Sequence, residues 1–379
     1  MTDAKRFAPG ATIGVMGGGQ LGRMFALAAR PMGYRVHTFS PEKSGPAAQV
    51  CDEVTVADYK DEAAVRRFAS EIDLLTFEFE NIPTETIAWA AETRVVRPRA
   101  EVLHIAQNRL REKQFLAGAG FPVAPFHPVD DEVSLTNALA ALGRPAILKG
   151  AAFGYDGKGQ QLIGPDDQPA EIWAERAGEK CVLEAVVDFA KEISAIVARG
   201  PGGGTAVFPL SENVHRAHIL DVTLAPARLT PEVAAAARDL ACAVAAKLDL
   251  VGLLAVEMFL RPDGELIINE LAPRPHNSGH WTIEGCATSQ FEQHVRAVCG
   301  MSLGATDLLR PSAMVNLLGD LWKSGEPNWP AALARPHVHL HLYGKREPRE
   351  RRKMGHLTAL GETVEAASAD ALEARARLE

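Results

Sequence analysis

Cysteine is scarce in this 379-residue chain: five, at positions 51, 181, 242, 286 and 299. Their number is odd and no two form a CxxC pair, which argues against a disulfide framework or zinc site and for reduced thiols. Long apolar runs are missing too. No stretch of 18 apolar residues occurs, so no membrane-spanning helix is expected. The opening MTDAKRFAPGATIGVMGGG lacks the apolar segment of a secretory signal. These absences set the expectation of a cytoplasmic protein without a membrane partner. Net positive charge is also lacking. Asp and Glu total 48 against 40 Lys and Arg, a net charge of −8, which disfavours a bulk nucleic-acid binder but allows a local basic pocket. GxSxG and HExxH do not occur, so local signatures of serine-hydrolase or zinc-protease chemistry are missing.

What is present suits a globular enzyme. Hydrophobic residues make up 47% and charged residues 23%, and the length allows two or three domains. ATIGVMGG, YRVHTFS and DLLTFEFEN read as strands, with helices at LGRMFALAARPMG and DEAAVRRFASE between them. That alternation predicts a parallel α/β sheet in residues 1–110. A second unit, 111–210, opens with the helix RLREKQFLAGAG and carries strands PAILKG, GQQLIG, KCVLEAVV, EISAIVARG and TAVFPLSEN. The PGGG at 201–204 fits a hairpin turn. A third unit, 211–379, holds the long helix TPEVAAAARDLACAVAAKLDL, which has a Thr N-cap and Pro at its first position. Strands GLLAVEMFL, ELIINELA, AMVNLLG, HVHLHLY and GHLTAL belong to it.

Several clusters carry chemistry. GGGQLG at 17–22 matches GxGxxG between a strand and a helix, a context that aims amides at phosphate. An acidic partner for an NAD ribose is poorly supplied, since only Glu42 follows the second strand, beyond a proline. Asp263–Gly264 is a favoured two-residue hairpin turn. With that turn, Glu257 faces Glu270, and two carboxylates on one face require a cation unless water bathes them. LAPRPHNSGHWT after Glu270 suits an anion through Arg274 and His276. AAFGYDGKGQ reads either as a glycine flap over phosphates or as a tight hairpin. KREPRERRKMG packs six Lys or Arg into residues 345–353, and composition alone leaves open a solvated face or a phosphate clamp. His337, His339 and His341 share one strand face, with no carboxylate or Cys near in sequence. Packing or surface exposure explains them better than a metal.

These stretches, from GGGQLGRM and FEFEN through KGAAFGYDGKGQ, VLEAVV and INELAPRPHNSGHWT to HLYGKREPRERRKMGHL, resemble the ATP-grasp enzymes. Within them, the likeness is to the N5-carboxyaminoimidazole ribonucleotide synthases of purine biosynthesis, and it spans nearly the whole chain. The resemblance implies an ATP-grasp α/β fold: a Rossmann-like N-terminal domain that receives the amine substrate, central α+β domains and a small β-rich C-terminal subdomain. It also implies a ligase that uses ATP and Mg2+ to join bicarbonate to 5-aminoimidazole ribonucleotide through carboxyphosphate, in a homodimer.

The implied residue roles follow from the matched positions. Arg109, Lys149, Glu192 and His215 would contact ATP. Glu184, Ala185, Val186 and Val187 would form the adenine linker. Gly154, Tyr155, Asp156, Gly157, Lys158, Gly159 and Gln160 would close over phosphate, with Tyr155 and Lys158 facing the chemistry. Glu257 and Glu270, aided by Asn269, would hold magnesium. Gln20, Leu21 and Glu78 would line the ribonucleotide side. Arg274 and His276 would bind bicarbonate or carboxyphosphate, with Asn277 and Ser278 beside them on the substrate. Lys345, Arg352 and Lys353 would clamp the ribonucleotide phosphate. The alternatives are a formate-dependent glycinamide ribonucleotide ligase and a non-catalytic nucleotide-binding protein. Against the first stands Asn277-Ser278-Gly279-His280-Trp281; against the second, the presence of Glu257, Glu270, Arg274 and His276 together.

Overall fold

The computed structural model describes residues 5–152, 159–176 and 178–379. Strands β1 (Thr12–Met16), β2 (Arg35–Ser40), β3 (Glu53–Val56), β4 (Leu74–Phe77) and β5 (Val95–Val96) pair in parallel in the order β3-β2-β1-β4-β5. Strand order reverses between β1 and β4, so the crevice at their carboxyl ends is where this topology accepts ligands. FEFEN is only partly a strand. It ends at Phe77, which leaves Glu78 and Glu80 in the turn that borders the crevice. β3 escaped the sequence reading because EVTV is only four residues long, and its two valines are exposed.

Four strands form a separate antiparallel sheet in the order β6-β9-β7-β8: β6 (Phe126–Val129), β7 (Ala146–Gly150), β8 (Gln160–Ile163) and β9 (Cys181–Ala185). Lys149 pairs with Gln160, so β7 and β8 make a hairpin. Of the expected flap, Gly154, Tyr155, Asp156, Gly157 and Lys158 lie outside the described residues. Gly159, at φ +73°, and Gln160 lead into β8.

The largest sheet is antiparallel. It contains β10 (Lys191–Arg199), β11 (Thr205–Val207), β12 (Ser211–Arg216), β13 (Ile219–Ala225), β14 (Gly252–Leu260), β15 (Leu266–Ala272), β16 (Ser312–Leu318), β17 (Val338–Leu342) and β18 (Lys353–Leu360). Its order is β15-β14-β10-β12-β13-β16-β18-β17, with β11 beside β10 across the glycine turn. Helix Pro231–Lys247 begins at Thr230, whose side chain accepts from the Val233 amide. It buries Ala237, Ala241, Val244 and Ala245 against Val256, Met258 and Ile268 on one face of the sheet. Helix Gln290–Cys299 instead joins the N-terminal sheet: Phe291, Val295 and Val298 share a core with Phe25, Ile13 and Val15. Among the described residues, no helix is long and apolar enough to cross a membrane.

Candidate active site

The β14–β15 hairpin brings the two glutamates together by a route different from the expected one. Leu260 pairs with Leu266 and Met258 with Ile268, and the Gly264 amide donates to the Arg261 carbonyl, so residues 262–264 form a three-residue turn with Gly264 at φ +89°. The two-residue turn at Asp263–Gly264 is therefore corrected. That longer turn alone would place Asn269 opposite Glu257 and send Glu270 into the apolar core. A bulge prevents this. Asn269 is left unpaired and Glu270 meets Glu257. Ile268 and Leu271 stay buried, while Asn269 and Glu270 between them are half-exposed.

β15 is the edge strand, and the helix Arg109–Gly118 supports its outer side. Buried Glu112 accepts from the Leu271 amide at 3.0 Å, and the Lys113 ammonium donates to the Ile268 carbonyl at 3.4 Å. Arg109 reaches Glu270 at 3.4 Å. The unpaired backbone groups beside the bulge are thus satisfied by buried charged side chains. Burial, then the charge of Glu270, pushes the Glu112 carboxyl up to about 8.

Glu257 is likewise pushed up, first by burial and then by Glu270. A proton on Glu257, or a divalent cation between the two carboxylates, would relieve this pair. Hard carboxylate oxygens beside a half-buried amide side chain suit Mg2+. Around the pair lie His215, in contact with Glu192 at 2.8 Å, and His276, whose Nε2 is 3.2 Å from Glu257. Burial alone would lower the His215 pKa, but Glu192 and Glu257 outweigh it and raise it. Burial, Arg274 and Lys353 hold His276 well below 6.5, so its ring is neutral.

Beneath the hairpin, Lys149 donates to Glu184 at 2.9 Å, and Lys113 approaches the same oxygen at 3.3 Å. All three are buried. Burial lowers the Lys149 pKa against the pull of Glu184, whereas the two lysines keep Glu184 below its usual range despite burial. Of the expected adenine linker, Glu184 turns inward to these lysines. Ala185 ends β9, and Val186 and Val187 follow at the surface, Val186 exposed and Val187 partly so.

Across the crevice, the glycines at 17–19 have a physical use that sequence alone did not give. The Glu78 carboxylate accepts from the Gly22 amide at 2.6 Å and also from Gly19. A Cβ on Gly19 would stand 2.8 Å from a Glu78 oxygen, and one on Gly18 would stand 2.7 Å from Ser40 Oγ. The N-terminus of helix Gln20–Ala29 is thus capped by an internal carboxylate, where a dinucleotide pyrophosphate would meet like charge. Gln20 and Leu21 flank this cap, partly exposed. Burial raises the Glu78 pKa, opposed by the two amides, Arg274 and Lys345.

Arg274 bridges the units through Glu80 at 2.7 Å, a partner the sequence reading passed over within FEFEN. Asn277 and Ser278, expected on the substrate, instead direct their side chains to protein. Asn277 exchanges hydrogen bonds with Asn316, and Ser278 is fully buried beneath His276. The basic run divides. Residues 346–351 are exposed, whereas Lys345, Arg352 and Lys353 are half-buried. Lys345 donates to the Lys353 carbonyl at 2.7 Å and stands over the Tyr343 ring. The histidine stripe also divides: His337 precedes β17, and His341 pairs with Glu284 at 2.6 Å and stacks on His356.

Comparison with known proteins agrees with this fold. Residues 10–107 match the ribonucleotide synthetase preATP-grasp domain, 114–291 the ATP-grasp domain, and 312–370 the phosphoribosylaminoimidazole carboxylase C-terminal domain. The chain is 47% identical over 350 residues to an N5-carboxyaminoimidazole ribonucleotide synthase of Bacillus subtilis, covering 92% of this chain and 91% of that one. It superimposes on the Staphylococcus aureus N5-carboxyaminoimidazole synthetase complexed with ADP with a TM-score of 0.92, at 38% identity and full coverage of both chains. An Aspergillus clavatus synthase in complex with ADP and 5-aminoimidazole ribonucleotide gives 0.87 at 29% identity, covering 97% of this chain and 99% of that one. The chain belongs to the N5-carboxyaminoimidazole ribonucleotide synthase family of ATP-grasp ligases.

Proposed function

We propose that this ATP-dependent ligase carboxylates the amine of 5-aminoimidazole ribonucleotide with bicarbonate, by way of carboxyphosphate. The observation that carries the reading is the facing Glu257–Glu270 pair, with Arg274 and His276 at its rim and Glu78 and Glu80 across the crevice. Bicarbonate is a poor electrophile, and its phosphorylation by ATP converts one oxygen into a leaving group. Lys149 and Arg109 would hold ATP phosphates. Arg274, fixed by Glu80, offers charge to the carboxyphosphate oxygens, and neutral His276 adds a hydrogen bond without a charge. Magnesium held by Glu257 and Glu270, beside Asn269, would neutralise phosphate oxygens and polarise the transferred phosphoryl group. Lys345, Arg352 and Lys353 suit the 5′-phosphate of the ribonucleotide, and Gln20, Leu21 and Glu78 its other end. Asn277 and Ser278 hold the anion loop from beneath. The contribution of the protein is positioning and electrostatics. A cytoplasmic homodimer is the setting this reading implies.

The test is product analysis with ATP, Mg2+ and isotopic bicarbonate, with and without 5-aminoimidazole ribonucleotide. Label should appear in a carboxylated ribonucleotide, with one ADP formed per product. Turnover that depends on formate and glycinamide ribonucleotide, or no ADP release with any of these substrates, would overturn the reading.

A further inference from the structure

Beneath His276 runs a chain of buried polar side chains that ends on its ring. Thr223 Oγ1 donates to Asn213 Oδ1 at 3.1 Å, and Asn213 Nδ2 donates to Ser194 Oγ at 3.0 Å. Ser194 Oγ donates to Ser278 Oγ at 2.8 Å, and Ser278 Oγ lies 2.8 Å from His276 Nδ1. All four relay residues are buried, and they come from β10, β12, β13 and the turn after β15. Buried hydroxyls and amides need partners, and here each supplies the next.

The chain has a direction. Ser194 Oγ already accepts from the Asn213 amide, so its own hydrogen goes to Ser278. Ser278 Oγ accepts that hydrogen and turns its own to His276 Nδ1. The backbone N–H of Ser278 also points at Nδ1, from 3.4 Å. A proton on Nδ1 would face both of these donors. The ring must therefore carry its proton on Nε2, the atom 3.2 Å from Glu257. Backbone contacts fix the rest of the residue: Gln290 accepts from the His276 amide at 2.9 Å and donates to its carbonyl at 2.7 Å.

We propose that the Thr223–Asn213–Ser194–Ser278 relay locks His276 as the Nε2–H tautomer, so that His276 serves as a fixed hydrogen-bond donor to an anion and not as a general base. Ser194 and Asn213 are then positioning residues, remote from substrate. This rests on the reading of His276 as an anion contact. The tautomer itself is a property of the free protein.

The experiment is two-bond 1H–15N correlation NMR on histidine-labelled protein without substrates, with His276 assigned by the loss of its signal in His276→Gln. The expected spectrum shows an unprotonated Nδ1 and a protonated Nε2. Asn213→Asp, read at pH 9 so that the new carboxylate accepts where the amide donated, reverses the relay. It should shift His276 to the Nδ1–H form or to a mixture. With ATP and both substrates, kcat of that variant should fall about 100-fold with KM for ATP little changed, as for loss of one oriented donor to a developing oxyanion. Ser211→Ala is the control. Ser211 holds the Ser278 carbonyl but lies outside the relay, so this variant should keep the wild-type tautomer. Ser278→Ala serves if Asn213→Asp does not fold, and should broaden or average the two nitrogen signals. A wild-type ring protonated at Nδ1, or a wild-type tautomer retained in both Asn213→Asp and Ser278→Ala, would overturn the proposal. If product analysis failed while the tautomer result held, the relay would stand and the substrate assignment would fall.

Discussion

Among single residues, the buried charges separate what a sequence displays from what only packing reveals. Lys149 was legible because it ends a strand in a matched motif. Glu112 and Lys113 were not, since charges within RLREKQ look like any solvated helix face. They meet free backbone groups of the edge strand at a bulge, and Lys113 also meets the buried Glu184; nothing local in the sequence announces either need. Glu184 now balances two lysines. Its replacement by Gln leaves both ammonium groups buried and close together, and breaking such a pair costs about 3–5 kcal/mol. We expect Glu184→Gln to lower the urea midpoint accordingly; a loss under about 1 kcal/mol would mean that the lysines are already hydrated or neutral.

The elements show sequence logic succeeding and failing within one hairpin. Pairing of Glu257 with Glu270 was readable from the favoured Asp-Gly dipeptide, yet the turn has three residues and the bulge at Asn269 restores the match. The bulge is held by tertiary contacts with the helix Arg109–Gly118, which periodicity does not encode. The glycine turn at 17–19 failed differently. Its pattern correctly signalled amides aimed at an anion, but the anion is Glu78, 56 residues beyond Gly22. Gly19→Ala tests this. The added methyl meets the Glu78 carboxylate, and overpacking of this kind costs about 1–3 kcal/mol. The variant should melt lower than wild type and show a higher KM for the ribonucleotide, with KM for ATP nearly unchanged. Equal effects on both substrates would detach this turn from the ribonucleotide side.

At the level of the whole molecule, three sheets meet around one crevice, and the seams between them hold neutral histidines. His294, on helix Gln290–Cys299, lies 3.0 Å from Thr76 of β4 and so ties the N-terminal sheet to the rest. Burial pushes its pKa down to about 3. In the unfolded chain the ring titrates near 6.5, so acid favours the unfolded state. The stabilisation is complete above about pH 6.5 and is lost as pH falls from there toward 3, at about 1.4 kcal/mol per pH unit below about pH 6. Glu112 and Glu257 run in the opposite sense, so the wild-type profile alone is ambiguous. A difference measurement is not. His294→Asn should lose less stability than wild type between pH 6 and 5, by about 1.4 kcal/mol in urea titrations. Parallel profiles would show that the ring is already charged or hydrated in the folded protein. None of this seam was visible beforehand, because His294 reads as one polar position on an amphipathic helix.

The extra residue at Asn269 also decides which edits the hairpin survives. In a regular ladder, losing one residue inverts every side chain beyond it, much as a frameshift scrambles the codons downstream. Here the strand already contains a frameshift, and deleting Asn269 would cancel it. Ile268 would still face Met258 in the core, and Glu270 would still meet Glu257. Excising Asn269 should therefore leave a folded protein with altered magnesium dependence. Excising Ile267, two positions away, should unfold the hairpin, because Leu266 and Ile268 can no longer share one face. Circular dichroism melts of the two deletions decide it: equal damage would mean that the bulge is a local kink without influence on the frame of the strand.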